Sequence, residues 1–536
     1  MLVAVKADDP VYRLDVFGDS VDGDGRRPRS VKVVARDLRL TVEVTGDVAQ
    51  VQVGACGGRA LFALAHEGGW VVSDQLARLA EATIQSPHAA FDQTWLAARI
   101  MVASPLVPTA SPYRAVLTLP SGTTTTLVPG AAARFLTAST PPAQSSVDLP
   151  ESLHRTIARH AALGGEHAVL TGGIDSSSIV ALLHGKGHVV PVSLDQRGLN
   201  QDRPYVESLA RFIGVEPLFV SPRDAAADLA PDLTVEGAPM LWPTSAHLQA
   251  AVRLARERGI RIVWTGLGGD ELFEGSRRGA AFALAHAGRL SQAVAVAVGT
   301  SSGAGRARAV LRDVVWSAIR PRVPLGLLRA LSPSAKLPPR SWAGPSLQAF
   351  EAERLARARM ERPEWELSRD QKVKRYFDWR LYDLIAFDRH VFEHASGILR
   401  VDPFTEPDVV RAVCSLSEDA LVEGGMTRAP LRQLVRGRMP EDVRLRSDKA
   451  SFVEPCAATF RAVPREQWQS LATPTALADL GLIEPRAFRA EFDEFEADLE
   501  GHPLGWIRLW PVLACEAFVR GAAKLPGRFS HQATHS

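Results

Sequence analysis

Cysteine is scarce in this chain: four among 536 residues, at Cys56, Cys414, Cys456 and Cys515, far apart and with no metal-ligand spacing. That excludes a zinc ribbon or a disulfide-stapled fold and fits buried thiols in a reducing compartment. Long apolar runs are missing too. None reaches the length of a membrane span, and Met1-Leu2-Val3 leads into Lys6, Asp8 and Asp9 rather than into a signal sequence. A cytoplasmic protein with no membrane partner is expected. Nor is one sign of charge in excess: 62 basic against 60 acidic residues leave a net charge of +2, so no nucleic-acid partner is demanded. Arginine far outnumbers lysine, which compositional bias explains without a functional reason. Two common phosphate signatures are also missing, because no Gly-Lys-Ser/Thr follows the glycines and no Gly-x-Gly-x-x-Gly occurs there. What remains has a globular composition, 46% hydrophobic and 23% charged, and a length that calls for two or more domains.

The chain organises itself around residues 169–182. Apolar Ala168, Val169 and Leu170 stop at Thr171-Gly172-Gly173. Asp175 and three serines follow, and Ile179, Val180, Leu182 and Leu183 return at helical spacing. The pattern predicts strand, tight turn, helix. Two glycines let the backbone approach a ligand closely, and the hydroxyls and amides of a helix start suit an anion. A carboxylate there would repel a bare phosphate, so Asp175 makes most sense holding a Mg²⁺ that the phosphate also binds. An ordinary turn with a Ser/Asp cap is the plain alternative.

Residues 1–138 read mainly as short strands, with alternation at 30–35, 38–44 and 48–53, and 113–128 reads as a hairpin. Residues 139–148 (STPPAQSSVD) form a Pro/Ser-rich connector. A helix follows with Leu153, Ile157, Ala161 and Leu163 on one stripe, ending at Gly164-Gly165. Beyond the turn come a strand at 188–194, a helix at 205–213, a strand at 216–220, a helix at 246–258 and a strand at 261–264. This rhythm predicts an α/β fold with a parallel sheet and a nucleotide at the carboxyl ends of its strands. The last strand runs into Thr265-Gly266-Leu267-Gly268-Gly269-Asp270-Glu271, a second glycine-rich turn closed by acids. Asp270 is the natural second metal carboxylate beside Asp175. Residues 279–340 read as helical, 374–394 as an amphipathic helix with core aromatics, and 531–536 as a frayed tail.

The first turn resembles the pyrophosphate loop of ATP pyrophosphatases, Ser-Gly-Gly-x-Asp-Ser, with Thr171 in first place. Two such turns in this order resemble the asparagine synthetase superfamily. Gly69-Trp70-Val71-Val72-Ser73-Asp74-Gln75-Leu76 and Leu119-Pro120-Ser121-Gly122 are similar to segments of the glutaminase layer of its glutamine-dependent members. Gly397-Ile398-Leu399-Arg400-Val401-Asp402-Pro403-Phe404-Thr405-Glu406 resembles the segment Gly-Leu-Glu-x-Arg-x-Pro-Phe-Leu-Asp. Ser447-Asp448-Lys449-Ala450-Ser451-Phe452 resembles the one that carries the active-site lysine, and 506–519 the closing helix. The resemblance implies a degenerate Ntn-hydrolase-like β-rich sandwich over 1–138, a linker over 139–148 and a tail over 527–536. Between them, 149–526 would form an ATP-pyrophosphatase (adenine nucleotide α-hydrolase-like) parallel-sheet domain with a helical C-terminal part. It implies ATP and Mg²⁺ as cofactors. Leu170, Thr171, Gly172, Gly173, Asp175, Ser176, Ser177, Ser193, Leu194, Gly266 and Lys449 would hold ATP and pyrophosphate. Asp175 and Asp270 would hold the metal, and with Lys449 they would be catalytic.

Departures from the family pattern sort its activities. A glutaminase of this kind needs a cysteine as its first mature residue; position 2 is Leu2, so glutamine hydrolysis is excluded and residues 1–138 are left as a scaffold or peptide dock. The glutamate that helps activate the nucleophile in asparagine and β-lactam synthetases falls at Leu399, and the tyrosine of β-lactam synthetases at Leu267. What this leaves is a likeness to the lasso peptide cyclases. Such an enzyme adenylates an Asp or Glu side chain of a leaderless core peptide, and the peptide's N-terminal amine closes an isopeptide macrolactam. A precursor peptide, a leader peptidase and a leader-recognition protein are the partners implied. Glu393 and His394, together with Asp402 and Glu406, are the candidates for deprotonating the amine. An amide ligase for a different small acid and an inactive scaffold remain open alternatives.

Overall fold

Apolar–polar alternation with a period of two leaves one face of a strand for burial, and the first part of the chain uses it twice. The computed structural model describes residues 4–6, 13–16, 30–35, 40–45, 48–53, 60–66, 69–74, 76–81, 90–103, 106–137, 148–195, 202–229, 234–235, 238–240, 242–275, 277–298, 310, 314–315, 319, 340–360, 398–423, 426–448 and 451–522. One five-stranded antiparallel sheet runs Ala4–Lys6, Arg13–Val16, Gly69–Ser73, Leu61–His66, Val116–Leu119. A second runs Arg134–Thr137, Thr123–Leu127, Val48–Val53, Leu40–Thr45, Ser30–Ala35. Val42, Val51 and Val53 of one sheet and Leu61, Ala63, Val72 and Leu119 of the other share a core. Alternate residues Phe62 and Leu64 belong instead to the cluster that holds Trp95 and Leu96 of the helix Gln93–Ile100.

Residues 113–128 are not a hairpin. Val116–Leu119 pairs with Leu61–His66 and Thr123–Leu127 with Val48–Val53, so the two strands part into different sheets. Gly122, at φ +72°, turns the chain between them, and its N–H donates to Val53 O at 3.0 Å. Of the Pro/Ser connector only Asp148 is described; its carboxylate caps the helix Leu149–Ala161. Leu153, Ile157 and Ala161 of the expected stripe are buried, whereas Leu163 is 59% exposed. Two residues past Ala161 is some 200° around a helix, and the helix ends before it.

The second architectural unit is a parallel sheet of five strands, in spatial order Leu218–Val220, His188–Leu194, Glu166–Leu170, Ile262–Trp264, Leu399–Val401. Ala168, Val190 and Val192 enter one core; Val169, Val189 and Trp264 enter another. Burial on both faces is what turned these strands into continuous apolar runs. Helices Ile174–Leu183, Asp202–Ile213 and Ser245–Glu257 follow the strands as the rhythm predicts. The chain starts in the middle of the sheet, moves outward to one edge, then returns to the other side. The direction reverses between Glu166–Leu170 and Ile262–Trp264, and in such sheets the crevice outside that reversal takes the ligand.

The expected closing helix is broken at Leu509 into Gly505–Arg508 and Trp510–Ala522. Phe518 packs against Phe91 (centroids 5.6 Å apart) and Tyr113 (6.0 Å), and so ties the end of the chain to its first part. Helices Arg277–His286 and Leu290–Val298 answer part of the 279–340 expectation; residues 374–394 and 531–536 lie outside the described residues. Cys456 and Cys515 are buried free thiols, their pKa pushed up to about 12 by burial. Among the described residues no helix is long and apolar enough to cross a membrane.

Candidate functional site

The two glycine turns leave the carboxyl ends of neighbouring strands, and their backbones pack on one another. A Cβ at Gly269 would lie 2.7 Å from Cβ and Cγ of Asp175, and one at Gly266 would lie 2.9 Å from the backbone nitrogen of Ser176. At Gly172 it would lie 2.5 Å from Oδ2 of Asp202. Gly266 and Gly269 therefore require glycine for close approach rather than for an unusual φ, whereas the obstacle at Gly172 is only a carboxylate tip.

Within the first turn the Thr171 N–H continues the ladder to Val192 O at 2.7 Å, and its hydroxyl donates to Val169 O at 2.7 Å. The Ser176 hydroxyl accepts from the Gly172 N–H at 3.3 Å and donates to Gly173 O at 3.2 Å. The helix Ile174–Leu183 then begins from Gly173 without a side-chain cap, which suits its leading amides to an anion. The second turn is braced from the neighbouring strand. Thr265 N–H donates to Val401 O at 3.0 Å, and its hydroxyl donates to the buried Asp402 carboxylate while accepting the Leu267 N–H at 3.2 Å. Arg400 Nε also donates to Asp402, at 3.1 Å.

Between the turns and the strand ends lies a cavity of about 440 Å³. Leu170, Thr171, Gly172, Gly173, Ser176, Ser193 and Leu194 of the expected nucleotide set line it, with Leu267, Asp202, Met240, Trp242, His247, Arg400 and Phe452. Asp175, Ser177 and Gly266 are not lining residues; Ser177 is buried in its helix. Burial lowers the pKa of His247 to about 4, so its ring is neutral, and Nε2 lies 2.9 Å from the Thr459 hydroxyl. Asp402 and Glu406 do not line the cavity, and Glu406 pairs with Arg159 at 2.7 Å. Glu393, His394 and Lys449 lie outside the described residues. Leu267 faces the cavity, whereas Leu399 packs against the sheet core.

Asp175 and Asp270 come together on one guanidinium. Arg428 Nε donates to Asp175 Oδ1 and Oδ2 at 3.0 and 3.1 Å, and its Nη2 donates to Asp270. Burial opposes the Arg428 charge, but the carboxylates of Asp175, Asp270 and Glu274 outweigh it and raise its pKa. Arg446 joins the first turn to the segment before Lys449: Nη1 donates to Asp202 at 2.5 Å and to Gly172 O at 2.8 Å, and Nε to Asp448 at 2.9 Å. The guanidinium also lies 4.3 Å above the ring of Tyr205. Burial raises the Asp202 carboxyl pKa even though Arg446 pulls it down. None of Arg428, Arg446, Asp202 and His247 stands in a recognisable motif. The one signal was the i, i+4 spacing of Arg428 and Arg432 after Gly424-Gly425.

Among the described residues no cluster of three or more His, Cys, Asp and Glu could hold a metal. A pair of carboxylates completed by phosphate oxygens is nevertheless the usual Mg²⁺ set, and Asp175 and Asp270, close enough to share a guanidinium, fit it. Paired glycine turns at the reversal of a parallel sheet, with two acids beside them, are the arrangement that a nucleotide-using α/β enzyme needs. The chain belongs to the asparagine synthase family, whose profile matches residues 150–520. Members of that family are ATP-dependent carbon–nitrogen ligases. No curated protein matches the chain.

Proposed function

We propose that the protein activates a carboxylate with ATP and closes a lactam, and that its substrate is a lasso-type core peptide. Mutual contact of the two glycine turns around one cavity carries this reading, because both turns then serve a single nucleotide. The apolar wall at Leu170 and Leu194 takes the adenine. The amides at Gly172 and Gly173 and the helix start behind them take the polyphosphate. Mg²⁺ held by Asp175 and Asp270 would supply neutralisation of charge on the departing pyrophosphate.

The substrate carboxylate attacks the α-phosphorus, the bond to the pyrophosphate oxygen breaks, and an acyl-adenylate forms. The peptide's neutral N-terminal amine then attacks the acyl carbon and AMP leaves as the amide forms; the amine's proton passes to a base, for which Glu393 and His394 are the candidates. Lys449 offsets charge on the acyl-phosphate. Leu267 and Leu399 stand where a Tyr/Glu pair would activate a small nucleophile, which favours a peptide whose own ends are held together. Such pre-orientation can supply about 7–11 kcal/mol of the barrier. Residues 1–138 act as an Ntn-like scaffold or peptide dock, and the Pro/Ser-rich segment 139–148 leads to the synthetase domain of 149–526. A leader peptidase and a leader-recognition protein supply the substrate in the cytoplasm.

ATP–pyrophosphate exchange with a core peptide, compared with aspartate and other small acids, tests the reading. Exchange with peptide alone, lost in Asp175→Ala, is expected. Exchange with a small acid alone would move the activity to a different amide ligase, and absence of ATP binding would leave a scaffold.

A further inference from the structure

The two acids assigned to the metal already hold a cation of the chain's own. Nε and Nη2 lie on one edge of the planar Arg428 guanidinium, so the oxygens of Asp175 and Asp270 that accept from them point toward one common space. The Arg428 and Asp175 side chains are 11% and 14% exposed, so water screens that contact little, whereas Asp270, 39% exposed, faces the open side of the pair. Its backbone is at φ +60°, one of two non-glycine residues with positive φ among the described residues. That conformation is unfavourable for a side chain of this size and persists where surrounding contacts hold it. Arg432, four residues on, anchors the segment by donating to Thr427 O at 2.9 Å and Arg446 O at 2.8 Å.

A guanidinium and a Mg²⁺ exclude each other from such a pair. Mg²⁺ needs carboxylate oxygens at about 2.0–2.1 Å in near-octahedral order, and N–H groups hydrogen-bonded to those oxygens repel it by charge and by volume. We propose that Arg428 is the resident counter-charge of Asp175 and Asp270, and that it bars a divalent cation until a polyphosphate draws the guanidinium away. The consequence is an order of binding: metal enters with nucleotide, never ahead of it. The inference rests on the metal assignment of Asp175 and Asp270 and is independent of the lactam chemistry.

Mn²⁺ titration followed by electron paramagnetic resonance, on the full chain without nucleotide, tests it. Arg428→Met is expected to bind Mn²⁺ at least about tenfold more tightly than the wild type, and adding Asp270→Asn should remove the gain. Loss of a merely structural arginine would weaken binding, not strengthen it. Thermal melts check folding. Arg428→Lys is the second variant: its single ammonium cannot span both acids, so its affinity should exceed the wild type's even if the methionine variant is unstable. Wild-type affinity equal to that of folded Arg428→Met, or of Arg428→Lys, overturns the proposal. If neither wild type nor variant takes Mn²⁺ even with ATP, the metal assignment itself falls and takes the proposal with it.

Discussion

Gly269→Ala puts one methyl group between the two turns. The new Cβ would meet Cβ and Cγ of Asp175 at 2.7 Å and Oδ1 at 3.0 Å. To reach even 3.4 Å, the near edge of ordinary contact, the two backbones must part by roughly 0.7 Å. The obstacle is the root of a side chain on the first turn of a helix, not a flexible tip, so a rotamer change cannot relieve it. Overpacking of this kind costs about 1–3 kcal/mol of stability. The larger effect falls on geometry, because Asp175 and the first turn that carries it are displaced together from Asp270. A misplacement approaching 1 Å at a reacting centre lowers rate by about a hundredfold. ATP–pyrophosphate exchange should fall by that order while the melt drops only a few degrees. Gly521→Ala is the control: it sits in the helix Trp510–Ala522 with nothing within 4 Å of the added Cβ, and should stabilise by up to about 1 kcal/mol. Exchange unchanged in Gly269→Ala would show that the turns need not touch, and the single-nucleotide reading would fail with it.

Two further perturbations address stability. Arg446→Ala removes the cation from the buried Asp202 carboxylate and a donor from Gly172 O; breaking such a pair costs about 3–5 kcal/mol. Urea denaturation should show that loss, with part recovered in Arg446→Met/Asp202→Asn, and a loss below about 1 kcal/mol would mean the pair is not holding the turn. His247 gives a pH dependence. Its folded pKa of about 4 lies below the unfolded 6.5, so the unfolded chain binds the extra proton between those values. Its stabilising contribution is therefore complete above 6.5 and is lost as pH falls toward 4, to a total of about 3 kcal/mol. Between pH 7 and about pH 5 the wild type should lose about 2 kcal/mol more than His247→Gln; equal losses would place the imidazole in water.

The parallel sheet was legible because a strand buried on both faces has to be an apolar run, and Val189, Val190 and Val192 leave no other choice. The second glycine turn was legible for a steric reason: where it touches the first, against the Ser176 backbone at Gly266 and the root of the Asp175 side chain at Gly269, a Cβ is excluded and residue identity records the contact. The false hairpin at 113–128 shows where this stops. A Pro-Ser-Gly turn is locally the same whether the next strand returns beside the last or leaves for another sheet. The choice was made by Val53, which accepts the Gly122 N–H from far along the chain. Leu163 leaves the stripe for a smaller reason: two residues past Ala161 a helical position points away from the buried face, and the helix has already ended.

The arginines of the site were illegible because what matters about them is their partners, and those lie 253 residues away for Arg428 with Asp175 and 274 for Arg446 with Gly172. In an arginine-rich chain no local pattern separates these from solvated ones. Their pairing also changes how an anion would be held. Arg428 is bound to Asp175 and Asp270, Arg446 to Asp202 and Asp448, Arg400 to Asp402. Of the three only Arg400 lines the cavity, so a polyphosphate that recruited these guanidiniums would exchange partners with carboxylates instead of meeting bare positive charge, and its binding energy would be the difference between two ion pairings. Weakening a carboxylate partner such as Asp448 would then tighten nucleotide binding, whereas weakening Asp175 or Asp270 would free Arg428 and remove the proposed metal ligands together. The acids around the first turn are thus unequal, and the inequality follows from which arginine each one holds.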